Sequence, residues 1–274
     1  MNHDLSDRQK QYEAAYDHSI IGRIPVIIRV DGRGFSKLTR DVPKPYCRKM
    51  AKAMAYTMFE TIKQIDGAAF GYTQSDEITF IIHRPYTKKN DADSWFNNRI
   101  QKIGTVTSSM VTYYFNEFRK TEDAPNISGP SFFDARVFGL PDSTETINNL
   151  IFRQQDCRVN AVSSAAMAEL GRKYGRKEAF TKLQGRSTSD RITMLKEECD
   201  ISFEESYTSQ FKMGAAAYRA PRIMDTSAGQ MTRVKWYLDH APPSFINDRI
   251  WLINLLSNGR DIFKPEREFN GTEG

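Results

Sequence analysis

Between about residues 24 and 140 the chain runs strand, helix, strand, strand, helix, strand, and that order constrains its fold more than any other feature. Ile24 to Val30 (IPVIIRV) is rich in β-branched residues and ends abruptly at Asp31-Gly32-Arg33-Gly34, a strand running into a glycine turn. Pro45 opens a helical stretch to about Ile65, with Tyr46, Met50, Met54, Met58, Ile62 and Ile65 at three- and four-residue spacing. Ala68 to Tyr72 and Glu77 to His83 are strands either side of the turn Thr73-Gln74-Ser75-Asp76. Asp93 to Phe118 reads as a second long helix, with Ile100, Ile103, Val106, Met110, Tyr113 or Tyr114, and Phe118 on its apolar face. Phe132 to Leu140 is the fourth strand. The order predicts an α+β, ferredoxin-like unit: one antiparallel sheet of spatial order 4-1-3-2 with two helices on one face.

After Pro141 the pattern turns helical. Asp142 with Glu145 reads as a capping pair for a helix to about Leu170, and Lys177 to Leu183 and Ser189 to Cys199 as further helices. Possible strands follow at Gln210 to Tyr218 and Arg233 to Leu238, and Pro265 to Gly274 reads as a loose tail. The expected division is a catalytic unit over 1–140 and a mainly helical extension over 141–274 packed on it. At 39 % hydrophobic residues the 274-residue chain can bury a core, so wholesale disorder is excluded. Met1 to Glu13 is too polar for a secretory signal, and no apolar run approaches the ~20 residues of a membrane span. Cys47, Cys157 and Cys199 are odd in number and far apart, and the four histidines are scattered, so neither a disulfide framework nor a zinc site is expected. These features point to a soluble, cytoplasmic protein. Its net charge of +5 permits a nucleic-acid partner without requiring one.

The topology makes a chemical prediction. In a split β-α-β unit the third strand lies between the first two, antiparallel to both. Asp31 at the end of the first strand and Asp76 at the start of the third, 45 residues apart, therefore meet at one edge of the sheet. Two converging carboxylates beside a glycine turn suit Mg²⁺, which prefers oxygen ligands. Paired ions of this kind serve phosphoryl and nucleotidyl transfer. Gly32 and Gly34 allow close backbone approach to phosphate. Asp is also a common turn former, but both residues together with Glu77 and the glycines on this topology favour function.

Five motifs in order carry a resemblance: Arg29-Val-Asp31-Gly32-Arg33-Gly34-Phe35, Gly71-Tyr-Thr-Gln-Ser75-Asp76-Glu77, Phe133-Asp134-Ala-Arg136, Arg153-Gln154-Gln155-Asp156-Cys157, and Leu183-Gln184-Gly185. They resemble the tRNA-His guanylyltransferase superfamily over roughly residues 24–190. The resemblance implies a polymerase-type palm that adds nucleotides in the 3′-to-5′ direction at the 5′ end of tRNA. ATP adenylylates a 5′-monophosphate, and the 3′-hydroxyl of an incoming triphosphate, usually GTP, then attacks the activated end. It implies two Mg²⁺ held by Asp31, Asp76 and the carbonyl of Gly32, with Asp31, Asp76 and Glu77 as catalytic residues. The backbone of Asp31, Gly32, Arg33, Gly34, Phe35 and Ser36, with Ser75, would hold the nucleotide. Lys44 would bind its triphosphate, and Arg99 and Lys102 a second one. Arg136 would supply a further cation. A homotetramer is the family's usual assembly.

Arg153, Gln154 and Asp156 are read either as a buried network or as tRNA contacts. The basic set of Arg172, Lys173, Arg176, Lys177, Lys182, Arg186 and Arg191 fits a solvated surface or a phosphate-contacting patch equally well. Where eukaryotic members continue His-Ile-Asn-Asn, this chain reads Arg158-Val159-Asn160-Ala161, which points toward the branch that copies an opposite strand and repairs shortened tRNA 5′ ends. Ser36 also replaces a histidine of those enzymes. Two rivals remain. A palm-type nucleotide cyclase lacks the expected hairpin motif here, and a non-catalytic RNA-binding palm is at odds with the intact Asp31, Gly32, Asp76 and Glu77.

Overall fold

In this computed structural model, which describes residues 4–83, 94–226 and 229–258, strand β1 (Val26–Gly32) alternates its side chains between two cores. Val26, Ile28 and Val30 point to one sheet face and Ile27 to the other, as a period of two requires. Strands β2 (Ala68–Gln74), β3 (Glu77–Ile82) and β4 (Phe133–Gly139) complete the expected set. Their spatial order is β4-β1-β3-β2, with every pair antiparallel. The ferredoxin-like reading holds.

Helix α1 (Leu5–Ala14) precedes the sheet and buries no residue, and α2 (Phe35–Leu38) is a single turn after β1. Helix α3 (Arg48–Ile62) lays Met54, Met58 and Ile62 on the sheet, as the methionine spacing predicts. Helix α4 (Ile100–Phe118) is shorter than read and turned differently. Its buried stripe is Ile103, Thr107, Val111, Phe115 and Phe118, while Tyr113 is 59 % exposed. Thr107 interrupts the apolar spelling of that stripe and shifts the apparent face by one residue. A 3₁₀ turn over Trp95–Asn98 leads into α4, so the α-helix begins only at Ile100; Asp93 lies outside the described residues.

The opposite sheet face is covered by α5 (Ser143–Tyr174), a 32-residue helix. Its start is capped as expected: the Asp142 carboxylate accepts from the Glu145 amide at 2.9 Å. The far half of α5 packs Ala165, Ala166 and Leu170 against α6 (Arg176–Leu183), α7 (Thr188–Cys199) and Phe203 of the short α8 (Phe203–Ser206). Helix α9 (Ser209–Met213) stands where a strand was expected to begin.

The residues after 140 are not confined to helices. Strands β5 (Ala215–Thr226) and β6 (Gly229–Asp239) join the same sheet on the β2 edge, giving the order β4-β1-β3-β2-β5-β6. Helix α10 (Arg249–Asn258) then returns to seal the α5 face through Leu252, Leu255 and Leu256. The expected tail from Pro265 lies outside the described residues. No described helix is long and apolar enough to cross a membrane.

Candidate active site

The site is built where β1 ends and β3 begins. Asp31 is the cross-strand partner of Glu77, and the Gly32 amide donates to the Asp76 carbonyl at 3.1 Å. The Asp31 and Asp76 carboxylates are thereby brought to one edge, as the topology predicts. Ser75 makes the hairpin with φ +50° and donates its hydroxyl to Asp76 Oδ1 at 3.0 Å. Burial pushes the Asp76 carboxyl above the usual carboxylate range; the Ser75 hydrogen bond opposes this, and the Asp31 charge adds to it.

Gly32 has a steric requirement. A Cβ there would lie 2.4 Å from the ring of Phe35, which packs 5.5 Å from Phe115 and 5.0 Å from Phe133. The Phe35 side chain is thus part of the core. Gly34 has φ +68°, which lets the chain turn directly into α2.

Beside the edge lies a cavity of about 1080 Å³. Among the expected residues, Phe35, Ser36, Lys44, Ser75 and Asp76 line it, together with Arg172 and Arg176 from the basic set. Arg172 Nη2 donates to the Lys44 carbonyl at 2.7 Å, so the end of α5 is tied to the loop before α3. Sequence reasoning missed Arg40, Tyr46, Asn160, Ser163, Ser164 and Phe211 in the same lining. Asn160, Ser164, Ala168 and Gly171 recur on one side of α5 at three- and four-residue steps, a small and polar stripe that could have marked a wall rather than a packed face.

Other expected residues go elsewhere. Arg99 and Lys102 share a second hollow, of about 500 Å³, with Lys10, Glu13 and Asp17 of the N-terminal segment. There Arg99 pairs with Asp17 at 3.3 Å, and Lys102 lies 4.9 Å from the Phe96 ring. Arg33 and Arg136 are exposed, and Arg136 stands directly across from Arg29 on β4. Arg153 and Gln154 are buried, 8 % and 4 % exposed, which takes them off any RNA-facing surface. Gln154 bridges Pro243 O at 2.9 Å and the Phe245 amide at 2.7 Å. Arg153 Nη1 donates to Glu77 Oε2 at 3.0 Å and lies 3.8 Å from the half-exposed Asp156. Glu77 therefore faces Arg153 and, at 4.0 Å, Arg29. Burial raises its carboxyl above the usual range while the two arginines pull it down. Arg158 pairs with Glu204, and Lys173 donates to the Glu198 carbonyl.

Among the described residues no group of three or more His, Cys, Asp or Glu side chains could hold a metal. The oxygen donors that fit one are the two carboxylates Asp31 and Asp76 with the Gly32 carbonyl. A hard divalent ion there takes its other ligands from phosphate and water. The fit is electrostatic as well: the partly buried Asp76 carboxylate is further opposed by the Asp31 charge, which a cation would neutralise.

A family model described as tRNAHis guanylyltransferase matches residues 6–141. A bacterial tRNA(His) guanylyltransferase-like protein solved in complex with ATP is 30 % identical, with a TM-score of 0.76 over 92 % of this chain and 99 % of that one. The chain belongs to the tRNA(His) guanylyltransferase-like family. The bacterial protein solved with GTP gives 28 % identity and a TM-score of 0.70, over 92 % of this chain and 98 % of that one. The tRNA(His) guanylyltransferase of Debaryomyces hansenii is 26 % identical over 89 % of this chain and 96 % of its own length. An uncharacterized protein of Acanthamoeba polyphaga mimivirus is 36 % identical over 61 % of this chain, which spans 63 % of that protein. Guanylyltransferases are nucleotidyltransferases, and the six-stranded antiparallel sheet here matches the fold of this family.

Proposed function

We propose that the protein adds nucleotides, GTP preferred, to the 5′ end of a tRNA in the 3′-to-5′ direction. In the first step a 5′-monophosphate attacks the α-phosphorus of ATP; an adenylylated end forms and pyrophosphate leaves. In the second the 3′-hydroxyl of GTP attacks that end and AMP leaves. The observation that carries the reading is the meeting of Asp31 and Asp76 beside a nucleotide-sized cavity lined by Ser36, Lys44 and Ser75. The named relatives support the substrate class, and the bacterial relative solved with ATP and with GTP supports the use of both.

Asp31, Asp76 and the Gly32 carbonyl would hold two Mg²⁺, which would supply positive charge to the attacking and leaving oxygens. The rest falls to this chain's own groups. Lys44 and Arg172 present positive charge to a triphosphate in the cavity. The rigid Gly32–Phe35 turn sets the backbone close to it, and Ser75 fixes the orientation of Asp76. Homotetrameric assembly and a cytoplasmic location complete the reading.

The test is incubation of 5′-labelled, monophosphorylated tRNA with ATP, GTP and Mg²⁺. Full-length and 5′-truncated tRNA-His and one unrelated tRNA are compared. An adenylylated intermediate and an extended 5′ end are expected. Cyclic nucleotide formed from triphosphate alone would replace this reading with a cyclase. Metal-independent tRNA binding without turnover would replace it with a binding protein.

A further inference from the structure

Helix α5 carries a large aromatic ring that no core uses. Phe152 is 56 % exposed. The Arg153 guanidinium carbon lies 4.1 Å from its ring centroid, so one side of the ring is backed by a cation. Arg153 is in turn held by Glu77 at 3.0 Å and approached by Asp156 at 3.8 Å. A guanidinium fixed between carboxylates holds the ring it contacts in one orientation. Glu77 pairs across the sheet with Asp31 and follows Asp76 in the chain. The ring is therefore one guanidinium and one carboxylate away from the Asp31–Asp76 edge.

Neither Phe152 nor Arg153 lines the 1080 Å³ cavity. The cavity meets the edge at Ser75 and Asp76, while Phe152 stands on the other side of Glu77. Nucleotidyl transfer places attacking and leaving oxygens roughly in line through phosphorus, so two reactants must reach the edge from different directions. A nucleoside in the cavity leaves the Phe152 side to the other reactant. Arg29 and Arg136 are direct neighbours across β1 and β4, next to the acidic pair Asp31 and Asp134; Arg29 lies 4.0 Å from Glu77, and Arg136 has no carboxylate partner among the described residues. Like charges directly opposite repel, and a phosphate backbone between them relieves the repulsion. An exposed aromatic ring backed by arginine, on a sheet face that also carries the unpartnered Arg136, has the composition of a nucleobase-stacking surface.

We propose that Phe152 is the stacking platform for the terminal base at the 5′ end of the RNA substrate, with Arg153 as the residue that positions it. The proposal rests on the 5′-end nucleotidyltransferase reading above. It is tested with 5′-truncated tRNA-His carrying 2-aminopurine as its first nucleotide, and with the variants Phe152→Leu and Phe152→Tyr. Phe152 is exposed, so both variants should fold, which circular dichroism checks. The wild type and Phe152→Tyr quench the fluorophore; Phe152→Leu loses the quench. The KM for this RNA rises roughly five- to a hundredfold in Phe152→Leu, the range for losing one base–aromatic stack, while the KM for GTP stays within about twofold. Unchanged quench and RNA KM in Phe152→Leu overturn the proposal, as does a change in oligomeric mass with the quench retained, which makes the ring a protein contact. If the wild type extends no RNA, the nucleotidyltransferase reading falls with it. If the wild type extends RNA and Phe152→Leu matches it, only the stacking assignment falls.

Discussion

Arg153→Met takes the guanidinium away and keeps most of the apolar stem. The side chains of Arg153 and Glu77 are 9 % and 12 % exposed and 3.0 Å apart. Removing one member of a buried pair typically costs about 3–5 kcal/mol, because the other charge is left uncompensated. Arg29, 4.0 Å from Glu77, remains as a partial partner and takes the expectation to the lower end, about 3 kcal/mol. Opposing this, Arg153 Nε is buried without a hydrogen-bond partner, and deleting it recovers about 1 kcal/mol of desolvation. The net loss expected is about 2 kcal/mol, or roughly 4–8 °C in Tm for a chain of this length. Adding Glu77→Leu removes the stranded charge, so the double variant should return to within about 1 kcal/mol of the wild type, as buried pairs replaced by apolar residues do. Urea unfolding of the wild type, both single variants and the double variant gives the cycle directly. A loss below about 0.5 kcal/mol in Arg153→Met, or a double variant less stable than that single one, would refute the argument that this pair holds α5 to the sheet edge.

Asp31→Ala and Asp76→Ala should each abolish nucleotide addition with the fold intact by circular dichroism; retention of more than about a tenth of the wild-type rate, only ~1.4 kcal/mol of transition-state stabilisation, would mean that other groups hold the metal. Arg99→Ala or Lys102→Ala should raise the triphosphate requirement more than it weakens tRNA binding, and the opposite result would assign the hollow between α1 and α4 to RNA. With Arg158 and Ala161 in place of the eukaryotic His and Asn, kcat/KM should be higher on tRNA-His lacking its first nucleotide with C at the facing position than on full-length tRNA-His with A opposite the site of addition. A Watson–Crick partner can orient the incoming 3′-hydroxyl where protein side chains do not; equal or higher efficiency on the second substrate would show that Arg158 does not mark the repair branch.

The first four strands were legible because their signal is local: β-branched runs stop at glycine turns, and Asp31-Gly32-Arg33-Gly34 and Ser75-Asp76 announce the turns that bear the carboxylates. From that order the meeting of Asp31 and Asp76 follows with no knowledge of side-chain packing. Strand β5 was legible only in part: a strand was expected over Gln210 to Tyr218, but it begins at Ala215 and runs on to Thr226. Ala215, Ala216 and Ala217 have strong helix propensity, and they are extended because the open edge of β2 pairs with them through Tyr72↔Ala216 and Gly71↔Ala217. Lys44, Arg99, Arg136 and Arg172 are alike as residue types. Only three-dimensional placement sends Lys44 and Arg172 to the large cavity, Arg99 to Asp17, and Arg136 to open solvent opposite Arg29.

Helix α5 explains why the segment after 140 cannot be treated as an appendage. Near its start, Arg153 and Gln154 bind it to Glu77 on the sheet and to the backbone at Pro243 and Phe245. In its middle, Asn160, Ser163 and Ser164 form a wall of the cavity. At its end, Arg172 returns to the Lys44 carbonyl across the cavity mouth. Strand β5 closes the circuit: the Tyr72 hydroxyl in β2 donates to the Met213 carbonyl at 2.9 Å, immediately before that strand joins the sheet. The carboxylate edge thus comes from the first half of the chain, while the volume beside it is walled on one side by residues between 35 and 76 and on the other by α5, α6 and α9. A fragment ending near residue 140 would keep Asp31 and Asp76, lose α5 with the wall it supplies, and expose Ile27, Phe70, Tyr72 and Ile81, which α5 and α10 now cover. Burying such side chains is worth about 1.5–3 kcal/mol each, a loss of the same order as a typical domain's whole stability. The helices and strands after 140 are therefore part of what holds the carboxylates in place.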